Sequence, residues 1–123
     1  MIVEDDRQVR ALARRVLAGQ AYRVLEAMNG SDALRVASMH EGDIDLVLTD
    51  VDMPTIGVRA MLSRLAKSYP ESAVLLTSGY SDTELLGRGF DKGNDPFLAK
   101  PFSGGQLVSA VRDALGARRA PAL

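Results

Sequence analysis

Apolar and polar positions along this chain switch between two periods. Met1-Ile2-Val3, Tyr22 to Ala27, Leu46 to Leu48, Ala73 to Thr77 and Phe97-Leu98-Ala99 are short apolar or β-rich runs, and such runs read as buried strands. Between them the spacing turns helical. Val9, Leu12, Ala13, Val16 and Leu17 form the apolar stripe of a first helix, which Gly19 closes. Asn29-Gly30 turns the chain, and Ser31 or Asp32 is placed to cap a second helix carrying Ala33, Leu34, Val36 and Ala37. Met61, Leu62 and Leu65 mark a third helix over Val58 to Ser68, ended by Tyr69-Pro70. Ser81 to Glu84 is a capping box, but Gly87, Gly89, Gly93 and Asp95-Pro96 follow at once, so the fourth helix is expected short or irregular. Ser103 and Gln106 form a second capping box for a helix carrying Leu107, Val108, Ala110, Val111, Ala114 and Leu115, which Gly116 ends.

Strands alternating with helices predict a parallel sheet and a doubly wound α/β fold. The organisation expected is one domain over residues 1–116 and a tail over 117–123. Composition narrows the function classes. The 123 residues are 46% apolar and 25% charged, enough for a single core without staples. The absence of cysteine excludes a disulfide framework, a thiolate metal site and a cysteine nucleophile, and it fits the cytoplasm. Fifteen basic against sixteen acidic residues give a net charge of −1, which offers no nucleic-acid surface. No apolar run approaches the ~20 residues that span a bilayer, and no signal peptide precedes the first acids, so no membrane insertion is expected.

The candidate chemistry gathers at strand ends. The run Leu46 to Leu48 leads to Asp50, and Pro54 stops the strand. Asp50 therefore stands at the carboxyl edge of a buried strand, where open α/β sheets bind ligands. Parallel strands share that edge. Glu4 and Asp5 reach it from the first strand, Thr77 and Ser78 from the fourth, and Lys100 from the fifth. Two carboxylates ~4 Å apart repel by roughly 4 kcal/mol at an effective dielectric near 20, so such a cluster raises a pKa or binds a cation. An all-oxygen donor set suits Mg²⁺. Mg²⁺ with a lysine and a hydroxyl is what a phosphoryl group needs around its oxygens, and a carboxylate such as Asp50 can accept one as an aspartyl phosphate. Asp6 could stand in for Asp5 but is better placed to cap the first helix. Thr77 competes with Ser78 as the hydroxyl, and Ser78 is preferred. Arg7, Arg10, Arg14 and Arg15 read as a solvated helix face, and His40 as a surface residue.

Glu4-Asp5, Asp50 with Met53-Pro54, Ser78-Gly79 and Lys100-Pro101-Phe102, in this order, resemble a receiver domain of two-component response regulators. The resemblance covers the whole chain. It implies a flavodoxin-like (βα)5 fold with strand order 2-1-3-4-5. It also implies a signalling module, not primarily an enzyme, that takes a phosphoryl group from a histidine kinase or histidine phosphotransfer protein and then switches binding to a downstream protein target. On that basis Asp50 is the phosphorylation site. Glu4, Asp5 and Asp50 hold Mg²⁺ with the Asp52 backbone carbonyl. Ser78 is the switch hydroxyl, Lys100 the ion-pairing cation and Phe97 the rotating switch aromatic. Lys100-Pro101 matches a bond the family usually holds cis.

Two departures stand out. The family's Asp-Gly after Met-Pro is replaced by Thr55-Ile56-Gly57-Val58, and the fourth helix is eroded by glycine. The pairing of Thr77-Ser78-Gly79-Tyr80 with Phe97 to Phe102 resembles receivers attached to hybrid sensor kinases. One rival is a haloacid dehalogenase-like phosphatase or phosphotransferase using Asp50 and Asp52. It lacks the acidic pair that family needs after its lysine, since the only acid beyond Lys100 is Asp113. A second rival is a degenerate receiver acting only as a docking module.

Overall fold

The computed structural model describes residues 1–52, 56–91 and 95–118. Met53-Pro54, Gly93 and the tail beyond Arg118, all named above, lie outside the described residues. The elements run β1 (Ile2–Val3), α1 (Arg7–Gly19), β2 (Glu26–Ala27), α2 (Gly30–Met39), β3 (Leu46–Asp50), α3 (Val58–Ser68), β4 (Ala73–Ser78), α4 (Asp82–Gly87), β5 (Phe97–Ala99) and α5 (Gly104–Arg118). The five strands form one sheet in the order β2-β1-β3-β4-β5, and every neighbouring pair is parallel. This is the expected doubly wound fold.

Alternation along the buried strands splits the core into two layers. Val3, Val47 and Leu76 face α2, α3 and the α4 region, where they meet Ala33, Ala37, Met61, Leu65, Leu85 and Phe90. Ile2, Leu46, Leu48 and Leu75 face α1 and α5 and meet Ala13, Leu17, Leu107, Val111 and Ala114. A strand apolar on both sides is what a sheet covered by helices on both faces requires.

Three expectations are corrected. The β2 pairing covers Glu26–Ala27, not Tyr22 to Ala27, because β1 offers only Ile2 and Val3 as partners. Tyr22 and Val24 still pack against the α1–α5 layer. The cap of α2 is Asn29, whose side chain accepts the Asp32 amide at 2.8 Å; neither Ser31 nor Asp32 has that place. Helix α5 continues through Gly116 to Arg118, since one helical glycine costs only about 1 kcal/mol and Ala114 remains buried in the core. Helix α1 ends at Gly19 as expected, and the left-handed residue beyond it is Ala21 at φ 65°. Tyr22 N–H donates to Leu17 O and Ala21 N–H to Ala18 O, the paired bonds of a Schellman stop.

Helix α4 keeps its capping box and is six residues long, as its glycines foretold. Its stop is specific. Gly89 takes φ 86°, and Gly89 N–H donates to Leu86 O and Phe90 N–H to Leu85 O. Phe90 and Leu85 are both buried in the same layer, the apolar contact that usually accompanies this motif.

Candidate functional site

The carboxyl edge of β1, β3 and β4 carries the polar residues. Chain direction explains Glu4: β1 ends at Val3, and Glu4 N–H still donates to Ala27 O of β2 at 3.0 Å, which keeps the side chain against the sheet. Glu4 is only 3% exposed. Asp5 is exposed, while Asp6 turns away to cap α1 by accepting the Gln8 and Val9 amides. One carboxylate oxygen each from Glu4, Asp5 and Asp50 lie within 4.8 Å of one another. Asp6 is not in that group.

Lys100 reaches the same place from the end of β5. Its Nζ lies 2.5 Å from Glu4 Oε1 and 2.9 Å from Asp50 Oδ2. Its backbone N–H donates to Ser78 O at 2.9 Å, and the Lys100–Pro101 bond is cis. The remaining carboxylate oxygens are also engaged. Glu4 Oε2 accepts the Asp6 amide at 3.2 Å, and Asp50 Oδ1 accepts the Asp52 amide at 3.2 Å. Burial pushes the Glu4 carboxyl above its ordinary range. Lys100 and the Asp6 amide oppose that rise without cancelling it, and the Asp50 charge adds to it. Burial works against the Lys100 charge too, but the bonds to Glu4 and Asp50 outweigh it and hold the ammonium above its usual value. A carboxylate cluster with one cation and further charge to balance is the electrostatic setting of a divalent-metal site. Its all-oxygen donors fit Mg²⁺.

The other expected residues are placed as follows. Ser78 is the last residue of β4 and buried, and its Oγ accepts the Tyr80 amide at 2.9 Å. Thr77 is buried one residue earlier, paired in register with Asp50, and its carbonyl accepts the Val51 amide. Phe97 is half-buried against the α2–α3 layer, edge-on to Phe90 with ring centroids 6.2 Å apart. The Asp52 side chain points elsewhere: its Oδ2 accepts the Tyr80 hydroxyl at 2.6 Å, and Arg88 lies 4.0 Å from Oδ1. That bond raises the Tyr80 phenol above its usual pKa.

Three residues escaped the sequence reading. Arg10, expected on a solvated face, is half-buried; its Nη1 donates to Glu4 O at 2.8 Å, and it pairs with Glu26. The available signal was its position one helical turn after the Asp6 cap, which sets it over the end of β1. Arg88 stacks over the Tyr80 ring at 4.1 Å, and Arg59 over the Phe90 ring at 4.6 Å. The first contact spans eight residues across the short α4 and the second joins segments 31 residues apart, and neither pair lies within one helix or strand.

Comparison with known proteins shows the family and supports the fold. The family model for the response regulator receiver domain matches residues 1–112. The chain is 33% identical over 115 residues to the sensor kinase CckA of Brucella abortus (strain 2308), covering 94% of this chain and 12% of that protein. It is 30% identical over 112 residues to the transcriptional regulatory protein CpxR of Escherichia coli (strain K12), covering 91% of this chain and 47% of the relative. The chain thus spans less than half the length of either relative. The crystal structure of the receiver domain from the hybrid histidine kinase CckA superposes with a TM-score of 0.76 at 33% identity, covering 93% of this chain and 95% of that one. The haloacid dehalogenase reading is not favoured, and the Asp52 carboxylate it needs beside the acceptor is held by Tyr80 and Arg88. No described helix is long and apolar enough to cross a membrane. This chain belongs to the response regulator receiver domain family, the phosphoacceptor modules of two-component signalling.

Proposed function

We propose that Asp50 is the phosphoryl acceptor, that Lys100 and Ser78 bind the phosphoryl oxygens, and that Glu4, Asp5, Asp50 and the Asp52 carbonyl hold Mg²⁺. The observation that carries this reading is the meeting of three carboxylates with Lys100 Nζ at the carboxyl edge of β3. One Asp50 oxygen attacks the donor phosphorus and the phosphorus–nitrogen bond of a phosphohistidine breaks, leaving imidazole on the donor and an aspartyl phosphate here. Bound Mg²⁺ would neutralise charge on the transferring phosphoryl group. Lys100 already sits on the acceptor oxygen and needs little movement to reach a phosphoryl oxygen beside it. The donor is a histidine kinase or histidine phosphotransfer protein, and the output is a changed protein–protein contact. Phe97 reports the acceptor's state by reorienting, and Thr77 supports β4 rather than contacting phosphate.

Incubation with acetyl phosphate and Mg²⁺ tests this, with intact mass as the readout. One added phosphoryl group is expected on the wild-type chain and none on Asp50→Asn, which keeps the volume but not the nucleophile. Equal labelling of the two would remove the assignment.

A further inference from the structure

The shortened α4 leaves the segment that follows it to be held by other means. Arg59, the second residue of α3, supplies them. Its guanidinium carbon stands 4.6 Å over the Phe90 ring. Its Nη2 donates to Gly89 O at 2.9 Å and lies 3.4 Å from Asp95 Oδ2. One planar fork thus contacts the α4 stop, the ring it buries and the approach to β5. A guanidinium suits this role because it stacks on a ring face and donates in its own plane at once. Phe90 in turn presents its ring edge-on to Phe97, with the planes at 87°.

We propose that Arg59 and Phe90 form a strap that holds Phe97 in its half-buried position and must loosen before Phe97 can move. The strap is rooted in α3, the next helix after Asp50 in the chain. The glycine-terminated α4 makes the strap necessary. A longer helix would pack this region by its own apolar stripe, whereas here, among the described residues, the buried Phe90 ring and the Arg59 cation act beside the Asp95 N–H bond to Asp91 O at 2.9 Å. The inference rests on the reading of Phe97 as the mobile aromatic that responds to the acceptor site.

The test uses the full chain with ring-labelled phenylalanine, read by NMR, with and without Mg²⁺ and beryllofluoride as the phosphoryl analogue. Only Phe90, Phe97 and Phe102 contribute signals. In wild-type protein the analogue is expected to shift the Phe97 signals. In Arg59→Gln, without analogue, they should already lie part of the way toward that position. The expected change is roughly thirtyfold in the ratio of the two positions, the low end of one exposed cation–π contact plus one charged hydrogen bond. Arg59→Lys should fall between, since it keeps the charge but loses the fork. Phe102 should stay in place throughout. The proposal is overturned if Phe97 signals in Arg59→Gln coincide with wild type, or if Phe102 moves as much as Phe97, which would mean general loosening. An unresponsive Phe97 in wild-type protein that binds the analogue, with binding lost in Asp50→Asn, overturns the strap and leaves the acceptor reading standing. No binding of the analogue at all overturns both.

Discussion

Lys100 Nζ lies 2.5 Å from Glu4 Oε1, a contact between residues 96 positions apart that ties the first strand to the last. The carboxylate is almost fully buried, and the ammonium, 22% exposed, also serves Asp50. In the absence of a bound metal, Lys100 is the cation that balances the cluster.

Lys100→Ala should therefore fold but lose about 2 kcal/mol of stability, less than for a fully buried pair because water reaches the site. Mg²⁺ should restore part of that loss, since a second cation then neutralises the stranded carboxylates. Urea denaturation with and without Mg²⁺ measures both effects. Unchanged stability without metal would show that the contact balances nothing.

The pH dependence has a definite sign. Glu4 binds its proton more tightly in the folded chain than in the unfolded one, so its contribution is fully present below its ordinary value of 4.5 and lost as pH rises through the elevated folded value. Glu4→Gln removes this limb. The stability of Glu4→Gln relative to wild type, followed without metal, should rise with pH above 4.5. A difference that falls with pH would reverse the assignment. The Lys100 ammonium, held above 10.5, adds stability that is lost only as pH climbs past that range.

Gly30 opens α2 beneath the loop that follows Asp50, and a Cβ built on it would stand 2.6 Å from Ile56 Cγ1. Gly30→Ala should cost about 1–3 kcal/mol by overpacking, and Ile56→Ala in the same chain should recover part of it. Additive losses in the double variant would mean the two residues do not meet. The close approach places Ile56 against the start of α2.

The two Schellman stops predict opposite signs. Ala21 holds φ 65° with a Cβ, and Gly89 holds φ 86° without one. Ala21→Gly should stabilise by about 0.5–1 kcal/mol, the left-handed penalty less the added unfolded-state entropy, and Gly89→Ala should destabilise by about 1 kcal/mol. Thermal unfolding reads both. Amide exchange should also rise over Asp82 to Phe90 in Gly89→Ala. Like signs for the two substitutions would show that backbone angle does not govern either stop.

The element order, the parallel sheet and the edge at which the chemistry collects are legible along the chain. Those features follow from local rules: strand parity at Leu46 to Leu48, capping boxes at Ser81 and Ser103, and the fact that parallel strands end on one side. Glu4, Asp5, Asp50 and Lys100 were legible for the same reason, being polar residues directly after apolar runs. Which groups satisfy one another was settled by folding. That Arg10 leaves the solvated face for the Glu4 carbonyl, that Asp52 turns to Tyr80 and that Arg59 covers Phe90 depends on where separate elements come to rest. Long polar side chains choose their partners by proximity in the folded chain, and periodicity carries no record of that choice. The length of β2 was decided in the same way. As an edge strand β2 has β1 for its neighbour in the sheet, and β1 offers two residues.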